Sequence, residues 1–190
     1  MELPISMSRA AFEPVEDEAG LIEKAKRDRA AFAVLYRRHY ALIAGYVFRR
    51  VGDAHATEDL VAEVFLKALR YLPRYEYRGT PVKVWLYRIA TTTVNRWARR
   101  ERRRLQLLYE RYVNDQSSAE PSASVHDADE ARLAMLTLNP KFQAVIALHY
   151  LEGLAVAEVA EAIGCRIGTV KSRLSRGREA LRKALESRRA

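Results

Sequence analysis

Cysteine is nearly absent: among 190 residues only Cys165 occurs, which excludes an internal disulfide and any cysteine-built zinc site and fits a reducing compartment. Glycine and proline are scarce as well, at eight and six, and alternating Val/Ile/Thr stretches are few, which disfavours a turn-rich β architecture. No apolar run approaches the roughly 20 residues that span a bilayer. The acidic, proline-containing N-terminal stretch does not read as a signal peptide, so a cytoplasmic protein is expected. His39, His55, His126 and His149 are scattered, and neither HExxH nor a phosphate-cradling glycine loop occurs. The carboxylates form no metal-spaced cluster. No catalytic residue, metal or cofactor is therefore expected, and an enzyme acting on nucleic acid is disfavoured.

What the chain does contain is helix formers throughout, 49% hydrophobic residues and a net charge of +9. The expected fold is all-α, with cores large enough for two small helical domains. Much of the charge is at one end. From Arg166 onward nine Lys/Arg face two Glu, a local excess of +7. The same stretch has the order of a helix-turn-helix from Val156 to Leu181: small Ala160 at the helix contact, Gly164 in the turn, Val170 as apolar lock. Ile167, Val170, Leu174 and Leu181 fall roughly on one helical face, and Gly177 interrupts the helix. Thr169, Lys171, Ser172, Arg173, Ser175 and Arg176 are left for the other face, with Arg166 just before it. Hydroxyls and cations are what phosphates and guanine edges require. A solvated basic face on an ordinary helix pair is the competing reading, and the ordered turn motif favours DNA.

Residues 113–130 (VNDQSSAEPSASVHDADE) carry five carboxylates and no Lys or Arg, between basic flanks. A stretch of this composition reads as a flexible linker with an r.m.s. reach of roughly 22 Å. The expected organisation is a disordered tail over 1–17, a helical domain over 18–112, the linker over 113–130 and a helix-turn-helix domain over 131–190. In the first domain Asp28 is placed to cap a long helix that Gly52 ends, and Asp53 to cap a second with a buried stripe of Leu60, Val61, Val64, Phe65, Ala68 and Leu69. After the loop Arg74-Tyr75-Glu76-Tyr77-Arg78-Gly79, Thr80 with Pro81 is expected to start a third helix running to about Arg104. That helix ends in six arginines between Arg96 and Arg104, which repel one another unless a polyanion neutralises them. Tyr and Arg together in the loop suit unstacked bases.

The blocks AFAVLYRRHY, RRVGD, TEDLVAEVFLKAL and VWLYRIA resemble region 2 of the extracytoplasmic-function sigma factors of bacterial RNA polymerase. The block LTLNPKFQAVIALHYLEGLAVAEVAEAIGCRIGTVKSRLSRGREALRKAL is similar to their region 4. The resemblance implies a protein that binds core RNA polymerase and directs initiation at promoter DNA, under the control of an anti-sigma factor. It assigns Glu58, Asp59, Leu60 and Glu63 to the polymerase contact. Tyr75, Tyr77, Arg78, Lys83, Arg88, Thr92, Arg96, Arg99 and Arg100 would hold the melted minus-10 strand. The helix from Ile167 would enter the major groove at the minus-35 element. Thr91 and Thr92 stand where the family usually has Arg-Asn, and Arg96 where it has Asp. A stand-alone helix-turn-helix regulator on a palindromic operator is the alternative, and a pure interaction protein is a further one.

Overall fold

The structure is a computed structural model that describes residues 18–114 and 130–189. The expected N-terminal tail and nearly all of the expected linker lie outside the described residues. Those that are described form eight α-helices, with no strand among them. No helix among them is long and apolar enough to cross a membrane.

The first half holds α1 (Glu18–Ala25), α2 (Arg29–Val51), α3 (Ala54–Tyr71) and α4 (Val82–Asn114). Local chemistry sets the first boundaries. Asp28 caps α2 by accepting from Ala30 N at 2.8 Å, and Asp53 caps α3 by accepting from Ala56 N at 2.6 Å. Between them Gly52 takes φ 79° and returns its N–H to Phe48 O at 2.8 Å. A side chain there would be strained, and its Cβ would also lie 2.7 Å from Leu136 Cδ1. The core joins Leu35, Ile43 and Val47 of α2 to Val61 and Val64 of α3 and to Leu86 and Ala90 of α4, all essentially inaccessible.

The start of α4 differs from the expectation. Thr80 does not cap it: its Oγ1 donates to Glu161 Oε2 at 3.1 Å, while Glu18 of α1 accepts from Val82 N at 3.3 Å. The far end also differs, because α4 continues past Arg104 to Asn114. No Gly or Pro interrupts residues 105–114, and Arg104 is paired one turn back with Glu101 at 2.6 Å.

The second half holds α5 (Glu130–Thr137), α6 (Pro140–Ile146), a π turn over Ala147–Leu151, α7 (Val156–Ile163) and α8 (Ile167–Arg189). Asn139 caps α6, and Glu158 reaches back to Ala155 N at 2.8 Å to fix the start of α7. Gly164 ends α7 at φ 66°, and Cys165 N closes the turn onto Ala160 O at 3.0 Å. Ala160, Val170 and Leu174 are buried, as the motif requires, whereas Ile167 is 48% exposed at the open first turn of α8. Gly177 has a packing reason: a Cβ there would meet Ile146 Cγ1 at 3.2 Å and Phe142 Cβ at 3.4 Å. It lets α6 and α8 approach closely. The halves are in contact, with α7 lying along α4 and α5 against α2.

Gly177→Ala would gain about 1 kcal/mol from helix propensity alone. The expected result in chemical denaturation is little or no gain, because Ile146 must shift, and Gly177→Leu is expected to lose about 1–3 kcal/mol by overpacking. A second outcome concerns pH. Burial, aided by Arg38 and Lys83, holds the His39 imidazole down at about 4. The unfolded chain takes up this proton first, so the contribution is complete above pH 6.5 and falls away as pH drops towards 4. The shift corresponds to about 3 kcal/mol at most. Thermal melts from pH 7 to 4 should show a shallower acid loss for His39→Phe than for the natural chain.

Candidate nucleic-acid interface

Turning α8 on its buried Val170 and Leu174 leaves one face outward. Arg166, Lys171, Ser172, Ser175 and Arg176 are exposed, with Thr169 and Arg173 half-buried beside them. Thr169, Ser172, Arg173 and Arg176 line an open groove of about 320 Å³ together with Gly168 and Lys141. Lys141 comes from α6 and was not anticipated. Nothing lies within 4 Å of where a Gly168 side chain would begin, so the backbone of the first turn is bare. Farther along, Arg182 is engaged by Glu179 at 2.8 Å and Glu186 at 2.6 Å. Hydrogen bonding to Arg182 holds Glu179 below the usual carboxylate range. Among the described residues of α8, Arg182 and Lys183 are thus engaged by acids, while Lys171, Arg173, Arg176 and Arg178 are in no ion pair.

The second basic surface is built by α4 and the loop before it. Arg88, Thr92, Arg96, Arg99 and Arg100 are exposed, and their spacing of three to four residues makes a stripe along one side of the helix. Lys83 and Tyr77 are half-buried at its start. The adjacent threonines face elsewhere. Thr91 is buried with its hydroxyl 2.7 Å from Tyr46 OH, and Thr93 accepts from Lys67 Nζ at 2.9 Å. Only Thr92 of the three points out, with Oγ1 donating to Ile89 O at 2.9 Å.

Tyr75 lies with its ring centroid 4.5 Å from that of Trp85, tilted by 34°. Burial, reinforced by Glu18 and Glu161, pushes its phenol up to about 12. Around this pair an open groove of about 470 Å³ is lined by Tyr71, Arg74, Arg78, Arg88 and Glu161. Arg78 is exposed and paired with Glu76 at 2.7 Å. Flat aromatic faces beside guanidinium groups are a stacking platform with phosphate-holding rims.

On α3 the acids divide. Glu58 and Asp59 are exposed, while Glu63 is paired with Lys67 at 2.5 Å. Leu60 differs from the expectation of an outward contact: it is 3% exposed, inside the core, and holds α3 in place. Leu69, expected in the buried stripe, is 37% exposed, and Leu66 is 67% exposed. These two leucines, with Tyr71 at the end of the helix, are the large apolar groups that α3 presents outward.

Sequence reasoning also missed a polar network where the halves meet. Glu152 pairs with Arg49 and accepts from Tyr87 OH at 2.7 Å. Arg50 is buried and donates to Tyr46 OH at 2.9 Å, Asn95 Oδ1 at 2.7 Å and Pro140 O at 3.3 Å. Burial and the neighbouring Glu152 push the Tyr87 phenol far above its ordinary range.

Two family models match the chain: sigma-70 region 2 over residues 35–104, and sigma-70 region 4 over residues 128–181. The ECF RNA polymerase sigma factor SigE of Mycolicibacterium smegmatis is 34% identical over 181 residues, covering 90% of this chain and 69% of that protein. The RNA polymerase sigma-H factor of Pseudomonas aeruginosa is 32% identical over 187 residues, covering 90% of this chain and 95% of the relative. Among solved structures, the sigma factor RpoE of Bartonella quintana, in complex with the anti-sigma factor NepR, is similar with a TM-score of 0.62. The identity is 25%, over 82% of this chain and 96% of that one.

The stacked pair in the groove can be checked by fluorescence. With Trp97→Phe, Trp85 is the one remaining indole of the two in the chain. Tyr75→Ala in that background is expected to red-shift its emission as water reaches the ring. An unchanged spectrum would show that Tyr75 does not cover Trp85.

Proposed function

The chain belongs to the extracytoplasmic-function sigma factors of bacterial RNA polymerase, and on that premise we propose that it binds core polymerase and directs it to promoters through two separate grips on DNA. The single observation that carries this reading is the pair of outward basic faces in one chain, on α8 and α4, beside a third face on α3 that is acidic and apolar. One helix-turn-helix needs only the first of these.

In the proposed division of labour, Arg166, Thr169, Lys171, Ser172, Arg173, Ser175 and Arg176 meet the minus-35 duplex, with Lys141 added from α6. An α8 inserted in the major groove places hydroxyls and guanidiniums against phosphates and base edges. Tyr75, Tyr77, Arg78, Lys83, Arg88, Thr92, Arg96, Arg99 and Arg100 hold the melted minus-10 strand. Bases stack in the Tyr75–Trp85 groove and the arginine stripe follows the backbone. Thr91, beside this set in sequence, has its hydroxyl committed to Tyr46. Glu58, Asp59 and Glu63, joined by Leu66 and Leu69, meet core polymerase in place of Leu60. An anti-sigma factor is the inferred inhibitory partner, since a similar sigma factor is held in such a complex. The chain performs no catalysis in this scheme: it favours the open complex by binding unstacked bases better than paired ones. Two modest grips become selective when polymerase fixes their spacing.

The decisive experiment is in vitro transcription from a genomic promoter library with purified core polymerase, with and without the protein. New start sites preceded by two unlike, asymmetric elements are expected, and failure to bind core or redirect initiation overturns the reading. Arg176→Ala is expected to weaken recognition of the upstream element by about 1–3 kcal/mol where that arginine makes a bidentate base contact. Asp59→Arg is expected to lower core affinity in a pull-down titration without changing the upstream sequence preference.

A further inference from the structure

Arg50 carries its charge into the interior with no opposite charge to meet it. It is 4% exposed, and among the described residues no carboxylate is paired with it. Its hydrogen-bond acceptors are all neutral: Tyr46 OH at 2.9 Å, Asn95 Oδ1 at 2.7 Å and Pro140 O at 3.3 Å. The Tyr46 ring adds a cation–π contact at 5.6 Å, again from a neutral group. Nε is buried and has no acceptor at all. A guanidinium so placed has lost hydration that neutral acceptors replace only in part, and an anion would replace more of it.

The guanidinium also borders on open space. Arg50 lines a groove of about 470 Å³ between the end of α2, the middle of α4 and the α5–α6 connection. That volume falls in the range of about 300–1,000 Å³ that small-molecule sites occupy. Val51, Ala98 and Leu136 make the lining partly apolar, and Trp97 offers a half-buried indole. Arg102 is exposed beside it and is in no ion pair among the described residues. Glu101, the acid of the groove, is already taken by Arg104 at 2.6 Å. Asn139 spends its carbonyl on Lys141 N at 3.2 Å, which leaves its amide N–H groups as donors. Neither basic face accounts for this groove. Arg96 and Arg99 of the α4 stripe do not line it, nor does any residue of α8, and Trp97 is turned by about 100° from Arg96 on the helix.

We propose that the groove is a binding site for a small ligand that joins a flat ring to an anionic group, of the nucleoside monophosphate class, with the ring against Trp97 and the phosphate held by Arg50 and Arg102. Two cations suit the charge of a phosphate, and a guanidinium fork suits its geometry. Stacking on an indole accepts any base, so Asn139 is the group left to choose among ring edges. The site stands apart from the two-grip reading and does not depend on it.

The test is calorimetric titration of the full chain with GMP, beside guanosine, inorganic phosphate and 1-naphthoate. GMP is expected to bind about tenfold tighter than guanosine or phosphate alone, because ring and anion engage together. Arg102→Glu, at an exposed position, and Trp97→Leu are each expected to weaken GMP binding by about tenfold. Thermal melts identify any variant that does not fold, and Arg102→Glu then carries the test. Tyr75→Ala, which strips the separate groove beside Trp85, is expected to leave GMP affinity as it is. In Trp85→Phe, where Trp97 is the single indole, saturating GMP is expected to quench the emission. A natural chain that binds no GMP, or GMP binding that survives both Arg102→Glu and Trp97→Leu, overturns the site. GMP bound no more tightly than phosphate overturns the ring contact and the proposal with it. Tighter binding of 1-naphthoate than of GMP overturns the nucleotide class.

Discussion

Everything in this molecule turns on how α4 divides its circumference. The helix has to bury one side against α2 and α3, offer a second side to an anion and support α7 on a third. A rotation of about 100° per residue does the sorting. Thr91, Thr92 and Thr93 show it within a single step each: one hydroxyl joins Tyr46 in the core, one is exposed in the arginine stripe, and one receives Lys67 from α3. Tyr87 and Asn95 turn towards the buried network, at positions whose neighbours Arg88 and Arg96 are outside. A shift of one residue in the register of α4 would put guanidiniums into the core and apolar groups into the stripe. The core contacts of Leu86 and Ala90 thus position the basic face as firmly as any residue on it.

Charge is distributed with a comparable economy. The excess at the C-terminal end is partly cancelled within α8, where Glu179 and Glu186 hold Arg182, so attraction for a polyanion is focused on the stretch from Arg166 to Arg178. Bare backbone at Gly168 and the positive end of the helix dipole act in the same place. On α3 the exposed acids Glu58 and Asp59 make a third surface unattractive to nucleic acid. Three surfaces of different character in a chain this small are what the proposed division between DNA and polymerase rests on.

Elements fixed by neighbours in sequence were legible, and elements fixed by distant ones were not. Asp28, Gly52, Asp53 and Gly164 act within four residues of themselves, so their roles could be read from the chain and are what the structure holds. Thr80 looked like a cap by the same local logic, but Glu161 of α7 takes its hydroxyl and Glu18 of α1 accepts from Val82 N in its place. The fate of Leu60, Leu66 and Leu69 was obscured because α3 is apolar over more than one face, and only the packing of α2 and α4 decides which leucines remain outside. Gly177 was visible as an anomaly, though its reason, the approach of Ile146, lies in another helix. Glu152 gave no signal at all. Its partners Arg49 and Tyr87 are 103 and 65 residues away, and periodicity within one helix carries no information about such pairs.

The contact between the halves also sets two electrostatic terms against each other, and they respond differently to salt. Attraction between Glu152 and Arg49 acts in a largely buried site and is weakly screened. Repulsion among Arg88, Arg99, Arg102, Lys141 and Arg173 acts across an open cleft, where a Debye length of about 8 Å at physiological ionic strength damps it. Added salt therefore relieves the cleft while leaving the Glu152–Arg49 pair intact, and the same salt weakens any nucleic-acid grip by counterion release. The α3 surface is different, because Glu58 and Asp59 do not line the cleft. A partner that binds there meets a surface already exposed while the halves are in contact.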